Sequence, residues 1–206
     1  DLDLIEGDYN NQNRLYLGDG SGSFSSGTDI TSDAHRTIPT ILGDVDGDGD
    51  LDLIAGNYNN QINRLYLGDG SGGFSAGTDI ASDTRRTYSL RLGDLDGDGD
   101  LDLITGEWGT NSNGRNRLYL GDGSGSFSSG TDITSDAHST VSTILGDVDG
   151  DGNLDLIAGN WNNQINRLYL GDGSGGFSAG TNIASDTRST PSVNLGDVDG
   201  DGDLDL

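Results

Sequence analysis

The sequence predicts an all-β fold, a β-propeller built from four-stranded blades. Three observations predict it. A nine-residue acidic motif, first seen at Asp44–Asp52, occurs four times at intervals of 50, 53 and 50 residues. The residues between two copies contain four short segments of alternating apolar and polar character. Gly-rich turns separate these segments, as expected for antiparallel strands.

The second period illustrates the predicted strands. Leu51–Gly56 is the first strand after the motif, and Asn63–Leu67 is the next, followed by a Gly-Asp-Gly-Ser-Gly turn. Phe74–Ile80 is a third, weaker strand, and Thr87–Leu92 is a fourth that leads into the next motif. The acidic motif therefore joins two strands in every period.

The length of 206 residues suits one all-β domain, so we predict a single domain over residues 1–206. Its predicted repeat units are 1–49, 50–99, 100–152 and 153–202, with 203–206 beginning a further strand.

The two ends of the sequence leave the number of blades open. The first strand is Leu2–Glu6, and Thr190–Leu195 is a last strand of the type that precedes the motif. The C-terminal strand could complete the first blade, but Asp1–Leu4 and Asp203–Leu206 are the same strand segment and cannot share one place. A closed four-bladed ring, half of an eight-bladed ring made by two chains, and a segment of a longer array remain open. We expect an oligomer or array, which would use the spare terminal strand.

The acidic motif has the composition of a calcium loop. Ca²⁺ takes six to eight oxygen ligands in a flexible geometry. Carboxylates stand at the first, third, fifth and ninth positions, and Gly47 and Gly49 permit the backbone to coil around one point. The seventh position is expected to offer its backbone carbonyl, which explains why Asn153 replaces Asp there in one copy. The predicted ligands are Asp44, Asp46, Asp48, Asp50, Asp52, Asp94, Asp96, Asp98, Asp100, Asp102, Asp147, Asp149, Asp151, Asn153, Asp155, Asp197, Asp199, Asp201, Asp203 and Asp205.

The motif begins like an EF-hand but does not end like one. Its twelfth position holds Ala55, Thr105 or Ala158 where an EF-hand has glutamate, and β-forming residues flank it. Mg²⁺ prefers a tighter octahedron with several waters, so we expect about four Ca²⁺ ions. The alternative is an acidic turn without metal, which the mutual repulsion of converging carboxylates disfavours.

Charge excludes several classes of partner. The chain has 35 Asp and Glu against 10 Lys and Arg, and a formal charge of −25. Four Ca²⁺ ions would still leave −17. We therefore expect no nucleic-acid partner and no attraction to anionic membranes. No apolar run approaches the ~20 residues of a membrane span, so membrane insertion is not expected.

Catalytic residues are not predicted. The chain has no Cys, and its two histidines, His35 and His138, occupy the same place in alternate repeats. Asp8 and Glu107 are acids unique to their repeats, but neither has a base partner in the sequence. We expect a protein that is not an enzyme.

The Leu42–Gly56 segment, followed by Asn-Arg-Leu-Tyr-Leu-Gly-Asp-Gly-Ser-Gly, resembles the FG-GAP/VCBS repeats of integrin α-subunit-type propellers and bacterial surface proteins. The resemblance covers essentially the whole chain. It implies that the acidic loop joins the first two strands of a blade and binds Ca²⁺. It also implies adhesion or ligand binding outside the cell or at its surface, more often than catalysis.

The same topology would place two sets of loops on the face opposite the calcium loops. One set carries an aromatic residue in each repeat: Tyr9, Tyr58, Trp108 and Trp161. Aromatic faces beside amides and acids suit sugar rings, so these four are the predicted ligand-binding residues. The alternative is that each ring packs between neighbouring blades. The longer loop Trp108–Asn116 is the preferred functional site, because function concentrates on variable loops. The other set of loops adds His35, Arg36, Arg85, Arg86, His138 and Arg188.

Three further repeated residue types are predicted to be structural. The arginines before each Leu-Tyr-Leu segment are expected to pair with carboxylates, the tyrosines to pack, and the phenylalanines to anchor the core. They are Arg14, Arg64, Arg117, Arg167; Tyr16, Tyr66, Tyr119, Tyr169; Phe24, Phe74, Phe127 and Phe177.

The sequence thus predicts an extracellular calcium-binding propeller that binds a glycan or protein ligand in a lectin-like or adhesive role. One alternative is a structural scaffold or self-assembling unit without a small ligand. Another, less favoured, is a non-catalytic part of a polysaccharide-active enzyme.

Overall fold

The computed structural model describes residues 1–109 and 112–206, which form strands and one short 3-10 helix, η1 (Ser112–Gly114). The longer loop Trp108–Asn116 includes positions 110 and 111, which lie outside the described residues. The strands are β1 (Leu4–Glu6), β2 (Arg14–Tyr16), β3 (Thr28–Asp29), β4 (Thr37–Gly43), β5 (Asp52–Asn57), β6 (Arg64–Tyr66), β7 (Thr78–Asp79), β8 (Thr87–Gly93), β9 (Asp102–Glu107), β10 (Arg117–Tyr119), β11 (Thr131–Asp132), β12 (Thr140–Gly146), β13 (Asp155–Asn160), β14 (Arg167–Tyr169) and β15 (Thr181–Asn182).

The strands form four antiparallel sheets in which neighbours in sequence are neighbours in space. The first sheet is β1-β2-β3, and the second, third and fourth are β4 to β7, β8 to β11 and β12 to β15. The all-β prediction is confirmed, and the four sheets correspond to the four repeats. Each complete sheet takes its first strand from before an acidic motif and its other three from after it, so sheets straddle the predicted repeat boundaries.

The second strand of each complete sheet lies in the middle of the protein. Every residue of β5, β9 and β13 is buried. Successive side chains of a strand point to opposite faces. Leu53 accordingly packs with Tyr66 toward the first sheet, whereas Ile54 packs with Leu90 and Leu103 toward the third. The core therefore lies between successive sheets.

Successive sheets also meet along their first strands. β4 contacts β8, and β8 contacts β12. A glycine ends each of these strands and makes room for leucines of the next sheet. At Gly43, an added β-carbon would lie 2.6 Å from Leu92 Cδ1 and 3.1 Å from Leu101 Cδ1. Leucines meet Gly93 and Gly146 in the same way.

Charged contacts join the sheets as well. Arg64 lies 3.0 Å from Asp33, which belongs to the preceding repeat, and it also pairs with Asp79 of its own sheet. The equivalent contacts are Arg117 to Asp83 at 2.9 Å and Arg167 to Asp136 at 2.7 Å. The prediction that these arginines pair with carboxylates is confirmed. We call each contact between neighbouring repeats an inter-sheet clamp.

Three of the four repeated tyrosines are buried, in agreement with the prediction that they pack. Tyr66, Tyr119 and Tyr169 are at most 2% exposed, and loss of water raises the pKa of Tyr169 to about 12. The prediction that the phenylalanines anchor the core is wrong for Phe24, which is 53% exposed. The other phenylalanines lie at the edges of the apolar clusters, because each follows a turn and pairs only with a glycine.

Two predicted strands differ from the structure. The segment Phe74–Ile80 is extended only at Thr78–Asp79, since its remaining residues follow the turn. The segment Thr190–Leu195 is not a strand. First strands elsewhere pair with the strand after the acidic motif, whereas here the pairing is a single bridge between Gly196 and Asp205.

Candidate functional site

The acidic loops join the first and second strands of the sheets. In the loop of the second sheet, the Asp44 carboxylate accepts hydrogen bonds from Gly47 N at 2.8 Å and Gly49 N at 3.0 Å. Both glycines have positive φ, 74° and 94°, where a side chain would strain the backbone. The glycines therefore allow the loop to curl around its first carboxylate, as the sequence predicted.

The curl brings carboxylates of each loop together. In every cluster, one oxygen from each of three aspartates lies within 4.8 Å of the others. The clusters are Asp44, Asp46, Asp48; Asp94, Asp96, Asp102; Asp147, Asp149, Asp155; and Asp197, Asp199, Asp205.

The ninth residue of the motif ties the loop to the sheet. Buried Asp52 accepts from Val45 N and from Gly68 N, both at 2.9 Å. Asp102 makes the equivalent contacts with Leu95 N at 2.8 Å and Gly121 N at 2.9 Å. This carboxylate therefore holds the acidic loop against the turn after the third strand.

The third residue of the motif faces an unfavourable charge environment. Loss of water raises the pKa of Asp46, and the charges of Asp52, Asp48 and Asp44 raise it further. Asp96 and Asp149 show the same direction of pKa shift. A cation at this place would relieve the repulsion that these pKa shifts reflect.

The donor set fits calcium better than a softer metal. Its oxygens all come from carboxylates, from a loop with glycines at the two turning points. The seventh residue stands outside the clusters. An added β-carbon on Gly70 would lie 2.3 Å from Asp50 Oδ1, so this side chain lies against the neighbouring turn. That placement agrees with a seventh residue that offers its carbonyl.

The loops also contact the next sheet. Gly125 N, in a turn of the third sheet, donates to Val45 O in the loop of the second sheet at 3.1 Å. Gly175 N donates to Leu95 O at 2.9 Å in the same way. The acidic loops therefore belong to the contacts between sheets.

The opposite ends of the strands carry a row of aromatic rings. β4 and β5 pair from Gly43 with Asp52 at the loop end to Thr37 with Asn57 at the other end. At this other end, Tyr9, Tyr58 and Trp108 follow strands, and Tyr88 is the second residue of β8. Their rings form a row, which we call the aromatic row. Successive ring centroids are 5.8, 5.6 and 5.1 Å apart.

Two arginines cover rings of the row. The Arg36 guanidinium lies 5.4 Å from the Tyr9 ring centroid, and that of Arg86 lies 5.7 Å from the Tyr58 centroid. Backbone bonds hold them there, because Arg36 O accepts from Tyr58 N at 2.7 Å and Arg86 O accepts from Trp108 N at 2.9 Å. Such cation–π contacts are worth about 0.5–1 kcal/mol when exposed.

A pocket of about 380 Å³ opens beside Trp108. Asn60 and Asn162 line it and adopt left-handed backbone conformations, both with φ of 58°. The remaining lining residues are Arg86, Gly109, Asn113 and Ser139. The pocket therefore combines an aromatic wall with amide, hydroxyl and guanidinium groups.

The structure brings together three of the four predicted ligand-binding residues. Tyr9, Tyr58 and Trp108 belong to the aromatic row. Trp161 is 37% exposed and makes no ring–ring contact within the described residues. Sequence reasoning missed Tyr88, which links Tyr58 to Trp108. Its signal was its break from the repeat, because Ile38 and Val141 occupy the same place in β4 and β12.

Glu107, the last residue of β9 and the one before Trp108, is fully buried. Thr87 Oγ1 donates to its Oε1 at 3.2 Å, while its Oε2 has no hydrogen-bond partner among the described residues. Loss of water raises the pKa of Glu107 to about 7, although the charges of Arg85 and Arg117 oppose the shift. In the second sheet, Asn57 fills this place and its amide donates to Ile62 O at 2.7 Å.

Among the described residues, the Nδ1 atoms of His35 and His138 are buried and have no hydrogen-bond partner. His138 lies in the connection before β12, where its backbone N–H donates to Gly114 O at 3.1 Å. Loss of water lowers its pKa. Asp8 accepts from Asn10 N at 2.7 Å and Asn11 N at 2.8 Å, which holds its loop in a turn.

The sequence profile of the FG-GAP-like repeat matches residues 1–55, 44–105, 108–158 and 147–206. The chain belongs to the FG-GAP-like repeat family. The resemblance predicted from the acidic motif is thereby confirmed. No curated protein sequence matches the chain significantly.

Solved structures share the fold of this FG-GAP-like chain. An Agrocybe aegerita lectin, described as recognising non-reducing terminal N-acetylglucosamine, matches with a TM-score of 0.61 and 20% identity over 91% of this chain and 50% of its own. The V. cholerae biofilm matrix protein Bap1 matches with 0.55 and 21% over 98% and 30%. A NanB structure with Optactamide matches with 0.57 and 14% over 86% and 29%.

The chain thus spans half or less of the length of these structures. At such identities the similarity concerns the fold alone. Among the described residues, no helix has the length and apolar character required to cross a membrane.

Proposed function

We propose that this FG-GAP-like chain is an extracellular calcium-binding propeller module that binds a glycan on its aromatic face. The aromatic row beside a polar pocket is the observation that carries the proposal. Sugar rings present C–H faces that stack on aromatic side chains and hydroxyls that hydrogen-bond to amides. A pocket of about 380 Å³ lies in the range of small-ligand sites.

The contacts between first strands support the propeller arrangement. β4, β8 and β12 lie side by side, and the core fills the space between whole sheets. In a propeller, the first strands surround a central axis and the sheets pack face to face around it. The chain is proposed to form one such domain, alone or with further blades.

The acidic loops support the calcium proposal. The residues of the clusters would hold the ion with carboxylate oxygens, and the seventh residue would add its carbonyl. When bound, the cation would supply the positive charge that cancels repulsion within each loop. Extracellular calcium modules bind at about 10⁻⁴–10⁻³ M, a range that suits a secreted or surface protein.

The extracellular setting also fits two of the structural relatives, which are described as a lectin and a biofilm matrix protein. A role without catalysis is part of the proposal. Glu107, whose carboxyl pKa is raised to about 7, is fully buried and does not reach the surface where a ligand would bind.

A glycan array run in millimolar calcium and again in chelator tests the proposal. Trp108→Ala removes the ring beside the pocket, and Tyr88→Val breaks the row with the residue that β12 carries at this place. We expect calcium-dependent binding that both substitutions reduce by about tenfold or more. Trp161→Ala, an equivalent ring outside the row, is the control and should bind normally.

If protein that is shown to be folded in calcium binds no glycan on the array, the result would contradict glycan binding. It would favour the second candidate function, a scaffold or self-assembling unit. Exposed leucines and valine near both ends support that candidate, since Leu2 is 88% and Val198 83% exposed. Light scattering in calcium would then detect assembly.

A further inference from the structure

We infer that the aromatic face selects glycans that carry carboxylate groups, such as chains containing uronic acids. The inference rests on the proposed glycan-binding function and names the class of glycan. It is carried by two arginines of the aromatic row, Arg36 and Arg86, that have no carboxylate partner among the described residues.

The rarity of unpaired cations makes these two arginines unusual. Acidic residues outnumber basic ones by 35 to 10, so most arginines lie close to a carboxylate. Within the described residues, ion pairs involve Arg14, Arg64, Arg85, Arg115, Arg117, Arg167 and Arg188. Arg36 and Arg86 form no ion pair there, and neither does Arg91, which instead donates to Leu90 O at 2.8 Å within β8.

The cation–π contacts do not use up the hydrogen-bonding groups of the two guanidiniums. Each guanidinium has five N–H donors in a planar fork, and a neighbouring ring accepts no conventional hydrogen bond from them. Arg36 is exposed over Tyr9, and Arg86 is partly exposed over Tyr58 and lines the pocket. A planar N–H fork matches the two oxygens of a carboxylate.

Nearby acids are already engaged. The carboxylate of Asp8, next to Tyr9, accepts backbone hydrogen bonds from Asn10 and Asn11, which lower its pKa. Glu107, which precedes Trp108, is fully buried. The two arginines are therefore free to meet an acid that comes with the ligand.

The negative charge of the whole chain acts mainly at the other end of the strands. Six-residue strands such as β5 separate the acidic loops from the aromatic row by about 20 Å. The Debye length is ~8 Å at physiological ionic strength, so the loops repel a ligand at the row only weakly. Calcium in the loops would reduce the repulsion further.

The row is long enough for more than one sugar. Its four rings extend across three sheets, and the arginines lie over the first two rings, with the polar pocket at the far end. A chain in which acidic and neutral sugars alternate would place carboxylates at the arginines and hydroxyls at Asn60 and Asn162. The ligand is therefore expected to be an oligosaccharide rather than a single sugar.

The repeats themselves provide the test variants. Ser139 and Ser189 occupy the places of Arg36 and Arg86 in the later repeats, so serine is compatible with this backbone position. Arg36→Ser and Arg86→Ser remove the charge and retain the backbone bonds to Tyr58 and Trp108. Arg188→Ser removes the same charge from an exposed arginine paired with Asp186, and it is the matched control.

The probes are hyaluronan oligosaccharides and the same oligosaccharides with their carboxyl groups reduced to alcohols. We expect calorimetry in millimolar calcium to show tighter binding of the acidic form. Arg86→Ser and Arg36→Ser should each weaken it on the order of tenfold, as for loss of a charged hydrogen bond. The reduced form should bind all variants equally, and Arg188→Ser should behave as wild type.

Two outcomes separate the inference from the function on which it rests. In the first outcome, both probes bind equally, the serine variants bind as wild type, and Trp108→Ala weakens binding. This result would overturn selection for acids and leave glycan binding intact. In the second outcome, folded protein binds neither probe and no glycan on the array. This result would overturn both the selection for acids and the proposed glycan binding.

Discussion

Glu107 shows how one substitution within a repeat changes the chemistry of a buried place. Its pKa is about 7 in the folded protein, against an ordinary value of 4.5. Between these values the folded protein keeps a proton that the unfolded chain has released. The contribution of Glu107 to the free energy of unfolding therefore falls as pH rises through this window.

Glu107→Gln should stabilise the protein increasingly from pH 5 to pH 8. The amide cannot ionise, and it can donate a hydrogen bond as Asn57 does in the second sheet. The gain in free energy of unfolding should reach at most about 3 kcal/mol above pH 7. Urea denaturation at both pH values measures it. Asn57→Glu should destabilise the protein increasingly as pH rises. If the gain in stability from Glu107→Gln did not depend on pH, the raised pKa of Glu107 would be contradicted.

At the scale of elements, the inter-sheet clamps are the polar contacts on which neighbouring sheets depend. Asp83 receives Arg117 at 2.9 Å and the Tyr119 hydroxyl at 3.1 Å, and its side chain is only 25% exposed. Without the Asp83 carboxylate, the Arg117 guanidinium and the Tyr119 hydroxyl each lose a hydrogen-bond partner at a site that is poorly accessible to water.

Asp83→Ala should lower the free energy of unfolding by about 1–3 kcal/mol. The control is Asp186→Ala, the same position in the fourth repeat, where the aspartate and its partner Arg188 are both exposed. That change should stay within about 0.5 kcal/mol. Equal losses from the two substitutions, measured by denaturant titration in calcium, would show that the clamp does not stabilise the sheets.

The sequence predicted most closely the strands whose alternating pattern recurs in every repeat. β5, β6 and β8 lie within one residue of their predicted ends, because alternation and glycine turns are local signals. For the inter-sheet clamps, the sequence predicted the arginine but not its aspartate partner. The arginines suggested ion pairs, but nothing local identifies Asp33 or Asp83 in the preceding repeat as the partner.

The aromatic row was predictable from the repeats only in part. The repeats identified Tyr9, Tyr58 and Trp108, because an aromatic residue recurs at that position. They did not identify Tyr88, because no other repeat has an aromatic residue at its position. They also could not separate Trp161 from the others. Which rings meet depends on the packing of whole sheets, and a single strand does not encode that packing.

At the scale of the whole molecule, stability is expected to depend on calcium. Removal of Ca²⁺ with a chelator should lower the melting temperature, because binding free energy is also folding free energy. One site contributes about 1.4 kcal/mol when the free ion is tenfold above its Kd. Calorimetric scans with and without chelator measure the effect, and identical melting temperatures would exclude a structural role for calcium.

Substitutions within one loop can separate calcium binding from general acidity. Asp46→Asn should reduce the calcium-dependent part of the stability, since Asp46 belongs to a carboxylate cluster. Asp50→Asn is the control, because Asn153 already stands at this position in the fourth loop. It should leave the calcium dependence unchanged.

The contacts that hold this molecule run from each sheet to the next along the chain: the clamps, the leucines against Gly43, Gly93 and Gly146, and the acidic loops. A chain organised in this way should respond to mechanical tension in steps. Stretched between its ends in an optical trap, it should yield one sheet at a time, and each event should release about 50 residues, or roughly 18 nm of chain. The force of each step would then report the strength of a single junction between sheets.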